Sequence, residues 1–234
     1  MKSRTFYYEH DLIVPDHCAD WDVWEYWERP RTDSIVEHMP HGGTLIDVGV
    51  EHGSLSALYQ YLRPDMRMAL IEPSCEFWPN IRLTWQANML PGPVACCVAL
   101  VGEENHGDPE TAIWPECAAS DIECAPKSYR YLHQHTDTPQ VTLDAWATFP
   151  VQGITIDVEG AELRVLRGAH DLLVRDRPLV WVSVHPDLME RDYGHVPADL
   201  QSFMFDVGYR GTLLAVDHEE HFAFFPKEHN ESVR

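Results

Sequence analysis

A loop with the sequence TLIDVGVEHGS, at residues 44–54, has the residue types that indicate ligand binding most directly. Its apolar start predicts a buried strand that runs into a turn with Gly49 and Gly53 and then into a helix. This arrangement places backbone amides around a nucleotide-like ligand. Three residues separate the two glycines, so the loop matches neither the GxGxxG dinucleotide fingerprint nor the GxxxxGK[ST] phosphate loop. The glycine spacing alone does not identify the ligand.

Three carboxylates near this loop distinguish between the possible ligands. Asp47 ends the first predicted strand, Glu51 lies inside the loop, and Glu72 ends the second strand. Together they would repel the pyrophosphate of a dinucleotide in a site of low dielectric constant. S-adenosylmethionine has no phosphate, carries a sulfonium and an ammonium group, and has a ribose diol that Glu72 is spaced to bind. The charges favour S-adenosylmethionine, with a strand-to-helix turn that binds no ligand as the alternative.

A second group of polar residues follows two later strands. Asp157 ends one strand, His185 ends the next, and Glu159 and Glu162 occupy the turn and first helical residues after Asp157. Strand ends face the ligand crevice in open parallel sheets, so these four residues are the candidate catalytic residues. Each has a structural alternative: the two glutamates suit a helix N-terminus, and His185 suits a hydrogen-bonded turn before Pro186. Such oxygens also suit a divalent ion, but we favour a base and assign no metal ligand.

The rest of the chain predicts a sheet that would position these residues. Short apolar strands at 44–50, 68–72, 94–100, 154–158 and 179–184 alternate with helices at 54–62, 79–88 and 161–167. A helix near 198–205 precedes two segments typical of an antiparallel pair, 212–216 and 222–225. We predict an α/β, Rossmann-like fold with a doubly wound sheet of the methyltransferase kind, seven-stranded and mostly parallel, with a terminal antiparallel hairpin.

Two regions lie outside this alternation within the single predicted domain, residues 1–234. Residues 1–40 predict an aromatic helical preface, in which three tryptophans between positions 21 and 27 share a helix face and Pro30 ends that helix. Residues 102–140 lack periodicity and predict an insertion or lid, with Trp114 as a candidate contact for the acceptor. Packing of these tryptophans against the main domain is the alternative.

Composition restricts the class of partner. The formal net charge is −21, whereas nucleic acids and anionic membranes need a basic surface, so we expect neither as a partner. The sequence shows no signal-peptide pattern and no run of about 20 apolar residues, from which we expect a cytoplasmic protein. No cysteine and histidine spacing matches a structural zinc site. The oligomeric state stays open.

The segment GITIDVEGAELRVLRGAHDLL, at residues 153–173, closely resembles the FkbM-type methyltransferase family. LIDVGVEHG resembles the first motif of that family, and IEPSCEFWPNIRLTWQAN resembles its second strand and the helix that follows. VTLDAW resembles the short segment before the DVEGAE block. These motifs occur in the family order between residues 43 and 209.

The resemblance implies a class I fold, S-adenosylmethionine as methyl donor, and O-methylation of a hydroxyl on a sugar, a glycan or a small metabolite. It places Asp47, Gly49 and Gly53 at the methionine end of the cofactor and Glu72 at the ribose.

Four positions depart from the usual family pattern. Val50 and Glu51 replace alanine and asparagine, Thr155 replaces a lysine, and Ser183 replaces a glutamate. These departures put any catalytic role taken from the family in doubt. Two other functions stay open: a nucleic-acid or protein methyltransferase, against which stand the acidic charge and the absent [DN]PP[YFW] step, and a non-catalytic partner protein of the same fold.

Overall fold

Strands and helices alternate along the chain in a computed structural model, which describes residues 2–6, 10–16, 28–119 and 137–228. The strands are β1 (Lys2–Phe6), β2 (His10–Val14), β3 (Thr44–Val48), β4 (Arg67–Ile71), β5 (Ala95–Val98), β6 (Leu100–Val101), β7 (Glu110–Ala112), β8 (Gln140–Val141), β9 (Gly153–Ile156), β10 (Leu179–Val184), β11 (Tyr209–Val216) and β12 (Glu220–Pro226). The helices are α1 (Arg29–His38), α2 (Ser54–Leu62), α3 (Trp78–Ala87), α4 (Leu143–Trp146), α5 (Glu162–Arg167), α6 (His170–Asp176), α7 (Pro186–Leu188) and α8 (Pro197–Asp206). Within these ranges, no helix combines the length and apolarity needed to cross a lipid bilayer.

One large sheet has the strand order β11-β12-β10-β9-β3-β4-β5-β7. The five central strands, β10, β9, β3, β4 and β5, are parallel, while β12 pairs antiparallel with both β10 and β11. The predicted α/β fold, with a mostly parallel sheet and a terminal antiparallel hairpin, is confirmed. Because the central strands are parallel, their carboxyl ends share one edge of the sheet.

The predicted count of seven strands was wrong, because the large sheet has eight. The additional strand is β7, which pairs antiparallel with β5 so that Thr111 lies opposite Cys97. It falls within residues 102–140, where the sequence shows no alternation. Thr111 and Ala112 are exposed at the sheet edge, so a three-residue strand here leaves no apolar pattern. The ends of this insertion are joined by β6 and β8, and residues 120–136 lie outside the described part.

The prediction of a helical preface was wrong at its start. Strands β1 and β2 form an antiparallel hairpin, in which Leu12 and Val14 alternate with polar or partly exposed neighbours and are buried. Asn88, just after α3, holds the Ile13 backbone by two hydrogen bonds of 2.8 and 2.7 Å. Pro30 lies in the first turn of α1, a position where a missing N–H costs little, and the helix predicted before it falls in residues that the structure does not describe. The three predicted tryptophans lie outside the described residues: Trp21, Trp24 and Trp27.

Both faces of the large sheet are covered by helices. Along β3, Leu45 is buried on the face covered by α1, α2 and α3, whereas Ile46 is buried on the face covered by α4, α5, α6 and α8. This burial on both faces explains why the central strands have nearly continuous apolar sequences. Helix α1 is anchored by Trp181 of β10, whose indole Nε1 donates a 2.9 Å hydrogen bond to Ser34 Oγ.

Trp114 packs against the core instead of facing the carboxyl edge of the sheet. Its ring lies edge-on to Trp85, with 6.2 Å between ring centroids. Because β7 runs antiparallel to β5 and Ala112 lies opposite Cys96, the chain after Ala112 continues toward the amino ends of the central strands. This placement favours the packing role for Trp114 over contact with an acceptor.

Strands β3 and β9 approach each other closely just after their last residues. Gly49 has a φ of +88°, in the left-handed region, and a Cβ atom there would lie 1.8 Å from the carbonyl oxygen of Asp157. Only glycine fits, because it alone avoids both the strained backbone and the clash. The contact holds the loop at residues 44–54, called the cofactor loop from here on, against Asp157, the first of the four candidate catalytic residues.

We predict that Gly49→Ala lowers the free energy of unfolding by about 3 kcal/mol or more, since backbone strain and overpacking add. Gly42→Ala is the matched control, because Gly42 also has a positive φ but has no atom within 4 Å of the added Cβ. It should cost about 1–2 kcal/mol from strain alone. Urea denaturation of both variants measures the difference, and equal losses would contradict the close approach.

Candidate active site

Glu72 lies at the carboxyl end of β4, buried and fixed by the backbone. Its Oε2 accepts a hydrogen bond from the Glu51 amide at 2.9 Å, and its Oε1 accepts one from the Ser74 amide at 2.8 Å. Burial raises the pKa of Glu72 to about 8, although these two amide bonds oppose the rise. A carboxylate has about four acceptor positions, so a second one on each oxygen suits the hydroxyls of a ribose diol.

The cofactor loop is shaped by Asp47 and by three residues with positive φ, of which Gly49 is the first. The Asp47 carboxylate accepts a hydrogen bond from the Ser56 hydroxyl of α2, and burial raises the pKa of Asp47 to about 6. Glu51 and Gly53 have φ values of +52° and +76°. These turns bring the Glu51 amide to Glu72 and start α2 immediately after Gly53. The structure therefore brings together all five residues predicted for the cofactor.

An open cleft of about 420 Å³ lies next to Glu72. Pro73 and Cys75, which follow Glu72 in the chain, line one side, and Val98 at the end of β5 lines another. Asp108 and Asp137 of the insertion also line it and offer hydrogen-bond acceptors. Apolar walls with a few polar groups suit a planar heterocycle that bears an amino group.

Three of the four predicted catalytic residues surround the imidazole of the fourth, His185. Its Nδ1 lies 2.8 Å from Glu162 Oε1, and its Nε2 lies 3.7 Å from Glu159 Oε2 and 3.8 Å from Asp157 Oδ1. Glu162 is fully buried, and the Gly160 amide donates a 2.9 Å hydrogen bond to the same Oε1. Glu162 thus orients the imidazole, whereas Asp157 and Glu159 reach solvent with side chains 27% and 74% exposed.

Hydrogen bonds to carboxylates favour the charged form of His185. Burial favours the neutral imidazole, but hydrogen bonds to Glu162 and Glu219 outweigh it and raise the pKa of His185 well above its usual range. The same pairing lowers the pKa of Glu219 against the opposing effect of burial. An imidazolium does not accept a proton, so the candidate base is a carboxylate, and Asp157 is the one nearest the cofactor loop.

A buried arginine that the sequence analysis did not predict, Arg31, forms an ion pair with the side chain of Asp157. Arg31 of α1 is 2% exposed, and its Nη1 donates a 2.6 Å hydrogen bond to Ser183 Oγ of β10. Its Nη2 lies 3.3 Å from Asp157 Oδ2 and 2.5 Å from Glu28 Oε2. No local pattern pointed to Arg31, because its partners Asp157 and Ser183 lie 126 and 152 residues away.

The turn between β11 and β12 and the start of β12 supply two more residues that the sequence analysis missed. Glu219 Oε1 lies 3.2 Å from His185 Nε2. The imidazole of His221 contacts Ser183 Oγ at 3.0 Å through Nδ1 and Asp217 Oδ2 at 3.1 Å through Nε2. The sequence DHEEH at residues 217–221 was an available signal, because two histidines among three acids are unusual for a hairpin turn.

These residues form two adjoining regions along one edge of the sheet. The order β12-β10-β9-β3-β4-β5 places Glu219, His185 and Asp157 on one side of Gly49 and Glu72 on the other. A ligand bound over β3 and β4 therefore meets the catalytic candidates at β9. This continuity is what a transfer reaction between two bound molecules requires.

A model of the family described as "Methyltransferase FkbM domain" matches residues 47–211, which is most of the chain. The chain belongs to the FkbM methyltransferase family. The match confirms the resemblance noted in the sequence and, with it, S-adenosylmethionine as the cofactor. A comparison with curated proteins found no match.

Solved structures confirm the class I methyltransferase fold. The FkbM methyltransferase from Methylobacillus flagellatus KT aligns with a TM-score of 0.51 and 17% identity over 78% of this chain. The chain spans 43% of that protein. The precorrin-6y C5,15-methyltransferase from Geobacter metallireducens GS-15 aligns with a TM-score of 0.52 and 11% identity, over 93% of this chain and 94% of its own. At such identities the similarity establishes the fold alone.

We predict that Arg31→Met lowers the free energy of unfolding by about 3–5 kcal/mol at pH 8, because it leaves buried carboxylates without their cation. Burial already raises the pKa of Glu28 and Arg31 opposes that rise, so without Arg31 the carboxyl of Glu28 would take up a proton more readily. Proton uptake removes the uncompensated charge, so the loss should shrink as the pH falls to 5.

Arg29→Met, on the same helix, is the matched control. The side chain of Arg29 is 43% exposed and pairs with Asp33 at 3.8 Å, which contributes about 1 kcal/mol or less. Denaturant titrations of both variants at the two pH values give the comparison. A loss for Arg31→Met that does not depend on pH would show that packing, not charge, explains its effect.

Proposed function

We propose that this FkbM-family methyltransferase transfers a methyl group from S-adenosylmethionine to a hydroxyl of a neutral acceptor, such as a sugar unit, a glycan or a small metabolite. The supporting observation is the position of Asp157. Its backbone packs against Gly49 of the cofactor loop, and its side chain is partly exposed at the same edge. A carboxylate therefore lies beside the bound methyl donor and is open to an acceptor.

The cofactor half of the site suits S-adenosylmethionine in shape and charge. Glu72 is positioned to accept hydrogen bonds from the ribose hydroxyls, and the adjoining cleft suits the adenine. Asp47 and Glu51 add negative charge beneath the loop, where the methionine end carries its ammonium and sulfonium groups. The same charges disfavour a pyrophosphate.

In the proposed reaction, the acceptor oxygen attacks the methyl carbon while the carbon–sulfur bond breaks. The sulfonium becomes the neutral thioether of S-adenosylhomocysteine, and the hydroxyl proton passes to Asp157. Positioning supplies much of the acceleration, and the base lowers the barrier further. Asp157, Glu159 and Glu219 make this side acidic, which favours a neutral acceptor over one that carries phosphate.

We expect the protein to bind S-adenosylmethionine, and Glu72→Ala to weaken that binding at least tenfold, or about 1.4 kcal/mol, by removing the ribose contacts. Glu76→Ala is the matched control, since Glu76 is exposed on the same loop. Titration calorimetry measures both affinities. Binding of NAD without binding of S-adenosylmethionine would contradict the charge argument.

We also expect Asp157→Asn to lower turnover by about a hundredfold or more, because it keeps the shape of the side chain and removes the base. Asp187→Asn, at an exposed acid just after β10, should leave turnover unchanged. Formation of S-adenosylhomocysteine is measured with methyl glycosides, oligosaccharides and phenols, and with RNA and protein as competing classes. Methylation confined to RNA or protein would overturn the proposed acceptor class.

A further inference from the structure

We infer that Asp157, His185 and Glu219 form a binding site for one divalent transition-metal ion, with Mn²⁺ as the best-matched probe. The ligand atoms are one carboxylate oxygen each from Asp157 and Glu219 and the Nε2 of His185, all within 4.8 Å of one another. Ligand atoms about 2.1 Å from an ion lie about 3–4 Å apart, so small movements complete the site. The sequence alone assigned no metal ligand, and the arrangement of these three side chains is the reason to assign them here. With an ion bound, Asp157 would act as a ligand, and the ion would lower the pKa of the acceptor hydroxyl in place of direct proton removal by Asp157.

The orientation of His185 is the first argument. Glu162 and the Gly160 amide fix the Nδ1 side of the ring, so Nε2 points to the place where the carboxylates meet. A carboxylate that accepts the other ring N–H is the usual support behind a metal-bound histidine, because it fixes the tautomer and the ring plane. Glu162 is fully buried and is thus a positioning residue.

Glu219 provides a second, independent argument. The residue is 8% exposed, and its Oε2 is buried with no hydrogen-bond partner in the described structure. A buried carboxylate oxygen without a partner is costly. Oε1 of the same carboxylate faces His185 Nε2 at 3.2 Å. A cation bound beside Oε1 would stabilise the negative charge of the carboxylate and so reduce that cost.

The balance of charge points the same way. Five carboxylates gather here: Glu28, Asp157, Glu159, Glu162 and Glu219. Arg31 and His185 contact several of them, and the exposed imidazole of His218 lies 2.9 Å from Glu219 Oε1. Even with His185 protonated, the group carries an excess of negative charge. An ion that replaces the Nε2 proton would add a positive charge at the centre of the group.

A neighbouring set of ligands, Glu28, Glu219 and His221, is a poorer site. Glu28 already lies 2.5 Å from the guanidinium of Arg31, which would repel an ion. Both ring nitrogens of His221 are occupied, one by the Ser183 hydroxyl and one by the Asp217 carboxylate. His185 has a nitrogen that faces carboxylates alone, so the ion is assigned to the Asp157 group.

One imidazole and two carboxylates combine one nitrogen and two oxygen ligands. This set suits Mn²⁺ better than Mg²⁺, because Mg²⁺ prefers oxygen ligands throughout. Three protein ligands leave positions for water and for an acceptor oxygen. An ion here would lower the pKa of a bound hydroxyl and orient it beside the methyl donor. This role in catalysis rests on the proposed function, whereas binding of the ion does not.

The test is a titration of the complete protein with Mn²⁺, followed by the loss of the electron paramagnetic resonance signal of the free hydrated ion. We expect one bound ion per chain in the wild type and at least tenfold weaker binding in Glu219→Gln and in Asp157→Asn. Glu220→Gln is the matched control, because Glu220 neighbours Glu219 in the chain but is not among the ligands. It should bind Mn²⁺ like the wild type.

Three results would overturn the site: a wild type that binds no Mn²⁺ at millimolar concentration, a Glu219→Gln variant that binds like the wild type, or unchanged binding in Asp157→Asn. The last would place the ion with Glu28 and His221. Circular dichroism checks each fold, and Asp157→Asn with the wild type carries the test if Glu219→Gln does not fold. Calorimetry with S-adenosylmethionine on the same samples separates failure of this site from failure of the proposed function.

Discussion

The buried guanidinium of Arg31 is the interaction on which the candidate site depends. It joins the amino-terminal helix to the ends of two central strands through Asp157 and Ser183. A charge this deeply buried is tolerated only when partners surround it, so the positions of α1, β9 and β10 are fixed relative to one another. The same contact occupies one oxygen of Asp157 and leaves the other facing His185. One cation thereby determines how the carboxylate is presented to an acceptor.

The two halves of the site differ in how they hold protons. At the cofactor end, burial raises the pKa values of Asp47 and Glu72, so these carboxyls carry less charge until a donor or cation approaches. At the other end, the pairing of His185 with Glu219 stabilises separated charges. The close approach at Gly49 keeps these environments side by side. A cationic ligand at the first half would favour the ionised form of these carboxyls.

The sequence predicted elements best where several signals agreed. Helix α2 and strand β10 have the predicted bounds, because a glycine turn or flanking turn residues delimit a continuous apolar run. Strand β7 was missed, since three residues at an exposed edge have no core face. The catalytic candidates were predicted from strand ends, whereas Arg31 and Glu219 were not. Their roles arise from contacts between distant segments, and such contacts leave no local pattern in a single sequence.

The small ladder between β6 and β8 has a consequence for how this protein can vary. Leu100 pairs with Gln140 and Val101 with Val141, so the insertion leaves and rejoins the domain at adjacent points. Gly168 packs against Gly102 at the same neck, where a Cβ would lie 1.9 Å from the Gly102 carbonyl oxygen. The entropy of closing a loop changes slowly with its length, so a closed neck lets the enclosed segment be lengthened, shortened or exchanged at small cost to the sheet. Substrate preference could then diverge between homologues while the methyl-transfer apparatus stays constant.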